Sequence, residues 1–496
     1  MHPTVMSFVS GALMALLLVS IWPTSSEATP LYTVRSGRTC DNCHSLPNSW
    51  YDPEAVTERK CTLSCAGCHV DPNGGGLRNV SGRYFGESTL ALFEFEDRPL
   101  DDRPRELESL YGWILGTLTE DNYEPPGEPT SEPTSGPVGP VADHPTDPRP
   151  PGSPVPNEGP AFGRPLFHGS SEMAWLDGRY GNMNADPLIQ FGGDFRLGYW
   201  SPGSLFFPMQ ADLYTAVHPI EHLTVAATVG ARGRKGGFEA TADEHTGDEM
   251  PVLVKDLWVM THEWPALSYA RAGRFLPAFG WRIDDHTAYT RRPFGLSQED
   301  PGNRVVGGEV GFTGNYPYGN FSLFKPAMGT GNDPLAVDDG WGGAVNFGWR
   351  DLGWSLGASA MLRNRPLEQG GDTRDFSLQW GLNPWRYSRA LPITYLGEAT
   401  FGLKQRQFSG KVTEQTAAFH QLSYMPIPGL TLHGRYDFWD PDREIIDDEI
   451  HRPGVGAEVV IVPGLTVRAD ARLGIPAGGT LGEDSTDLFV QLHGWF

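Results

Sequence analysis

From about residue 186 to the end of the chain, apolar and polar positions alternate with a period of two. In "IQFGGDFRLGYW", Ile189, Phe191, Phe195, Leu197 and Tyr199 are interleaved with Gln190, Asp194 and Arg196. In "LTVRADARL", Leu465, Val467, Ala469, Ala471 and Leu473 alternate with Thr466, Arg468, Asp470 and Arg472. In "TLHGRYDFWD", Leu432, Tyr436 and Phe438 oppose His433, Arg435 and Asp437. Successive side chains of a strand point to opposite faces, so each segment has one apolar and one charged face. Repeated over segments of ~10 residues, this is the pattern of a transmembrane barrel strand, apolar toward lipid and polar toward the lumen.

About sixteen such segments follow one another. Their starts fall near 187, 204, 222, 251, 266, 304, 318, 341, 352, 372, 392, 413, 429, 453, 464 and 486. The connections alternate in length: "HPIEH", "EWPA", "NYPYG", "RDLG", "MPIPG" and "VPG" are short, whereas 276–303 and 441–452 are long and 201–203 is brief. Short turns at one end and long loops at the other distinguish the periplasmic and extracellular ends of a bacterial barrel. At the C-terminus, Phe496 continues an apolar row with Leu488, Val490 and Leu492.

The N-terminal part is different. Residues 8–21, "FVSGALMALLLVSI", form an apolar run too short to span a bilayer, followed by Ser26 and Ala28 in the spacing of a signal-peptidase site. It reads as a signal peptide, 1–28, with an N-terminal anchor as the alternative. The formal net charge of -23 excludes nucleic acid as a partner. Residues 124–165 hold 14 prolines in 42 positions and form a linker leaning toward polyproline II, with a reach on the order of 100 Å.

All five cysteines lie ahead of that linker, at Cys40, Cys43, Cys61, Cys65 and Cys68. "CDNCH" places His44 after Cys43, and "CAGCH" places His69 after Cys68. C-x-x-C-H is the attachment pattern of c-type haem. Two thiols at this spacing can each bond one vinyl group of a porphyrin, and the adjacent imidazole then faces the iron. Zinc does not require a histidine after both pairs, and a disulfide framework would leave one cysteine over. Two covalently bound haems are therefore expected. Cys40, Cys43, Cys65 and Cys68 would attach them, and His44 and His69 would be the axial ligands. Cys61 is left as a free thiol, a distal ligand or an alternative attachment point.

The sixth iron ligands are not evident. Between Thr29 and Tyr123 there is no histidine besides His44 and His69, and no methionine. Distal-ligand candidates further along are His168, Met173 and His286; an absent ligand would leave iron open to peroxidase-type chemistry. His144 lies in the linker, where a solvated side chain is expected. After the second motif, "GGGLRNVSGRYFG" suits a tight turn against a porphyrin, or a plain loop. Residues 104–119 read as a helix, with Leu107, Leu110, Tyr111, Ile114, Leu115 and Leu118 on one face. The domains are then a signal peptide 1–28, a dihaem domain 29–123 of helix and loop, the linker 124–165, and a barrel with a lead-in segment, 166–496.

Two loops are candidate sites. In 276–303, Asp284, Asp285 and His286 sit near Arg291 and Arg292; if this loop folds into the lumen, His286 can reach a haem, and a plain loop histidine is the alternative. In 440–449, "DPDREIIDDE", six carboxylates crowd together, as a solvated acidic loop or as a cation collector.

The order of signal peptide, C-x-x-C-H segment and porin-like barrel resembles the fused cytochrome c–porins of the bacterial outer membrane. Their best-known members are outer-membrane iron oxidases carrying a single haem. The motif match is confined to Cys40, Cys43, His44 and Cys65, Cys68, His69; the second motif and the long linker depart from that pattern. The resemblance implies an all-β transmembrane barrel preceded by a small helical and loop cytochrome domain, located in the outer membrane and in contact with its lipid. It implies an electron conduit between a periplasmic carrier and an extracellular donor or acceptor, iron included. The alternatives are a diffusion porin with a tethered dihaem cytochrome, and a haem enzyme, which would be an oxidoreductase acting on extracellular metal ions.

Overall fold

The computed structural model describes residues 65–79 except Cys68, together with Gly82, Leu92 and 188–496 apart from 233–251 and shorter gaps in other connections. The expected signal peptide and linker, the first C-x-x-C-H motif, Cys61, the segment 104–119, His168, Met173, Asp284 and His286 lie outside the described residues.

Sixteen antiparallel strands form one closed barrel in which each strand pairs with its chain neighbours. They are β1 (Ile189–Trp200), β2 (Leu205–Ile220), β3 (Leu223–Arg232), β4 (Val252–Trp264), β5 (Ser268–Phe275), β6 (Val305–Phe312), β7 (Pro317–Pro326) and β8 (Trp341–Arg350). The second half is β9 (Trp354–Asn364), β10 (Thr373–Leu382), β11 (Ile393–Gln405), β12 (Val412–Ile427), β13 (Leu430–Asp440), β14 (Ile450–Val462), β15 (Leu465–Pro476) and β16 (Ser485–Trp495). Fifteen of these begin within two residues of the position expected from the alternation. The exception is β14, expected at 453 and starting at Ile450. Pro453, which donates no hydrogen bond, conceals that start, and the acidic connection is correspondingly shorter, 441–449.

Closure leaves no free sheet edge. β1 meets β16 through pairs such as Leu197↔Leu492. Just past β16, the Phe496 amide and carbonyl each bond Gly193 at 3.2 Å. The Phe496 ring stacks on Phe195 at 6.2 Å, and a Cβ on Gly193 would fall 2.3 Å from it. The terminal aromatic row is thus part of the seam.

The polarity of the faces is inverted relative to a water-soluble protein. Phe206, Val455 and Phe347 are 80%, 66% and 58% exposed on the outside, whereas Gln190, Asp437 and Glu398 are fully enclosed inside. Exposed apolar area costs ~25 cal/mol per Å² in water, so this exterior belongs against hydrocarbon. Exposed Trp264 and Trp354 sit at the short-turn end and Trp341 at the opposite end, the interfacial positions of aromatic girdles. The turns 221–222, 265–267, 313–316, 351–353, 428–429 and 463–464 share one end, which is the periplasmic one in such barrels. The connection 383–392 also lies there and is longer than its neighbours.

Candidate functional site

Two inserts occupy the lumen. The first is 65–79, which carries the second C-x-x-C-H sequence. It begins with one helical turn, Cys65–Gly67, closed by the His69 amide on the Cys65 carbonyl at 2.9 Å. His69 bridges Arg78, and the Val70 amide bonds the Leu77 carbonyl at 3.0 Å, so the two arms run antiparallel. Between them "DPNGGG" makes the tip. Gly74, Gly75 and Gly76 have φ of 83°, 77° and 63°, a run of left-handed conformations that residues with a Cβ resist.

Asp71 at the tip is the anchor. Its carboxylate accepts from Arg271 of β5 and from Arg282, each at 3.1 Å, and from the Asn73 amide at 2.9 Å. Burial would raise the Asp71 carboxyl, but the two guanidinium groups outweigh it and hold it at about 2. Arg271 also pairs with Glu309 of β6 at 2.9 Å. Glu309 in turn accepts from Asn73 at 3.0 Å, Tyr269 at 2.7 Å and Ser322 at 2.8 Å. Val70 and Leu77 join one buried apolar cluster with Tyr214, Trp258, Phe275 and Phe279. Nearer the short-turn end, the Arg78 guanidinium lies 3.9 Å from the Trp495 ring centroid. Cys65 Sγ is 3.8 Å from Arg350, which also stacks on Tyr318 at 4.6 Å. The Leu92 amide bonds the Val460 carbonyl at 2.7 Å beside the turn at Gly429.

The second insert is the long connection 276–304, which crosses the lumen from the opposite end. Asp285 of this loop reaches the barrel wall. It takes Arg435, Arg468 at 3.5 Å and Arg472 at 3.1 Å from β13 and β15. Arg291 instead meets Glu398 of β11 at 2.5 Å. Two side chains six residues apart in this loop are thus held by different strands of the wall. Trp281 Nε1 donates to the Gly397 carbonyl at 2.9 Å, and Arg452 donates to the Thr287 carbonyl at 2.6 Å. The Asp71–Arg282 pair therefore joins the two inserts.

Between them remains a cavity of about 450 Å³ whose lining includes Cys65, His69, Arg78, Asp194, His433 and His493. His69 Nδ1 is buried without a hydrogen-bond partner. Burial, reinforced by Arg78 and Arg282, pushes the imidazole down to about 3, so it is neutral at physiological pH and has the lone pair a metal requires. Cys65 is a free, partly exposed thiol. A free thiol, a neutral imidazole with its Nδ1 unpartnered and an adjoining cavity fit a covalently attached haem.

Several contributors to this site were not apparent from sequence. Asp71 is one acidic residue in a turn-like "DPNGGG", and only its position two residues after His69 marks it. Arg271, Glu309, Arg350 and His493 occupy ordinary lumen positions of their strands, and nothing in a two-residue period says which lumen residue meets the insert. Among the described residues, no group of three or more His, Cys, Asp or Glu has the geometry of a metal site. The 440–449 carboxylates are distributed instead, with Glu444 on Lys411 at 2.6 Å.

The fold and lumen define a transmembrane β-barrel of outer-membrane type. No protein-family model matches the chain, and no curated protein matches it in sequence. Solved porin structures do match in fold. An anion-selective porin from Comamonas acidovorans is 12% identical, over 62% of this chain and 99% of that one, with a TM-score of 0.43. A loop-deletion mutant of OmpT, an outer membrane protein of Vibrio cholerae, is 10% identical over 62% and 99%, with a TM-score of 0.45. The outer membrane channel DcaP of Acinetobacter baumannii is 11% identical over 62% and 97%, with a TM-score of 0.42.

Proposed function

We propose that this protein is an electron conduit of the outer membrane. In this reading two c-type haems are attached through Cys40 with Cys43 and through Cys65 with Cys68, with His44 and His69 as axial ligands. They pass electrons between a periplasmic carrier and an extracellular donor or acceptor, ferrous or ferric iron being one candidate. The observation that carries the reading is the anchoring of Asp71, two residues from His69, on Arg271 and Arg282 inside the barrel at 3.1 Å each. A segment bearing a haem motif that only hung in the periplasm would have no use for a charge matched to the lumen wall.

A bound haem supplies one-electron redox chemistry. The chain's own residues would do the rest. Cys65 and Cys68 would fix the porphyrin, and the neutral His69 would present its lone pair. Arg78 and Arg350 offer positive charge beside the motif. Val70 and Leu77 keep water from one side. The inserts narrow the lumen and bring the C-x-x-C-H segment inside it.

Haem content and permeability together test this reading. Denatured protein should retain haem stain and the mass of two haems, and liposomes containing the native protein should resist swelling in small sugars. One haem or none, after expression with periplasmic haem-attachment machinery, would defeat the proposal. Two haems with rapid swelling would favour a porin with a tethered cytochrome.

A further inference from the structure

The proposed haem at His69 needs a sixth ligand that its own domain does not contain. Between residues 29 and 123 the only histidines are His44 and His69, and no methionine is present. The cavity shared by Cys65 and His69 is lined by two histidines of the barrel wall, His433 of β13 and His493 of β16. Both have one ring nitrogen on a carboxylate: His433 Nε2 lies 2.7 Å from Asp470, and His493 Nε2 contacts Asp194. A carboxylate on one imidazole nitrogen fixes the ring's orientation and tautomer and makes the other nitrogen a better metal ligand.

Position separates the two. Arg78, the bridge partner of His69, stacks on Trp495, two residues from His493 on the same inward face of β16. Trp495 is also the register partner of Asp194. The pair Asp194–His493 is thus built into the wall next to the arm that carries His69. Asp470–His433 is tied to Arg468 instead, at 2.8 Å from Asp470.

We infer that His493, oriented by Asp194, is the sixth ligand of the haem iron held by His69. The inference rests on the proposed attachment at Cys65 and Cys68. It deepens that reading by making the barrel wall part of the redox centre. Six-coordinate iron favours electron transfer over peroxidase-type chemistry, which needs an open position. It also means that the haem site is completed only when the segment is docked in the barrel.

The test uses the full-length, haem-loaded protein in detergent, read by absorption and electron paramagnetic resonance in the oxidised state. Wild-type protein should show a low-spin iron at this haem. In His493→Ala, the low-spin signal of one haem should give way to a high-spin one, covalent haem content should stay at two, and added imidazole should restore the low-spin signal. His493→Met keeps a ligating side chain, so it should stay low-spin with a raised reduction potential. An unchanged His493→Ala spectrum in a folded barrel would overturn the inference. So would an unchanged potential in His493→Met, or conversion by His433→Ala instead. Each of those results leaves the conduit reading intact. Absence of covalent haem at Cys65 and Cys68 would defeat both.

Discussion

Replacing Asp71 with asparagine tests how the lumen is closed. The carboxylate serves Arg271 and Arg282, each at 3.1 Å, and no strand-to-strand hydrogen bond depends on it. Its carboxyl is held at about 2, against an ordinary 3.8, a difference on the order of 2 kcal/mol. Removing one partner of a buried pair costs ~3–5 kcal/mol, and Arg271 retains Glu309 at 2.9 Å, which brings the expectation to the lower figure. This energy stabilises docking of the segment, not the barrel. A loss on the order of 2 kcal/mol multiplies the undocked population some tens of fold, at about 1.4 kcal/mol per tenfold. In planar lipid bilayers, Asp71→Asn should therefore spend far more time in a high-conductance state than wild type, with unchanged heat-modifiable migration on gels. Arg282→Gln removes one of the two pairs and should show a smaller increase. Identical open probability for wild type and Asp71→Asn would refute the assignment of Asp71 as the anchor.

Deleting Phe496 removes both hydrogen bonds to Gly193 and the stack on Phe195, so it should reduce membrane insertion more than Arg468→Ala; equal loss in a trypsin-resistance assay would argue against that role. In the connection 441–449, burial and the neighbouring Asp440 and Asp442 hold the Asp448 carboxyl above its ordinary range. The folded state then binds protons more readily than the unfolded one, so the burden is present at neutral pH and is relieved as pH falls toward the carboxylate range. Asp448→Asn should raise stability at pH 7 by less than about 1 kcal/mol, seen as a small rise in thermal midpoint, with the gain shrinking toward pH ~4; a gain independent of pH would contradict this. Cys61→Ser should leave haem mass unchanged, whereas Cys65→Ser should weaken or abolish attachment at the second motif.

The barrel was legible in the sequence because lipid on one side and water on the other impose a two-residue period on every strand. Phe191 and Asp194 declare their faces without knowledge of any neighbour. Strand ends were less visible where the local chemistry conceals pairing, as at Pro453. The lumen site was legible only in part. Cys65 and His69 stand in a motif whose spacing is set by the porphyrin, so they can be read locally. Asp71, Arg282 and His493 acquire their roles from contacts across about 200 residues of chain or more. The loop 276–304 shows the same limit: Asp285 and Arg291 are six residues apart yet pair with different strands, β13 and β15 for the first and β11 for the second.

Electron passage across a sealed membrane tests the proposed function most directly. The protein would be placed in liposomes enclosing a reducible dye too large for any pore, with a membrane-impermeant reductant outside. A conduit predicts dye reduction that is abolished by His44→Ala or His69→Ala while the barrel stays folded, since one missing centre interrupts the chain. Dye reduction no faster than that of haem-free protein, or reduction indifferent to both histidines, would contradict it.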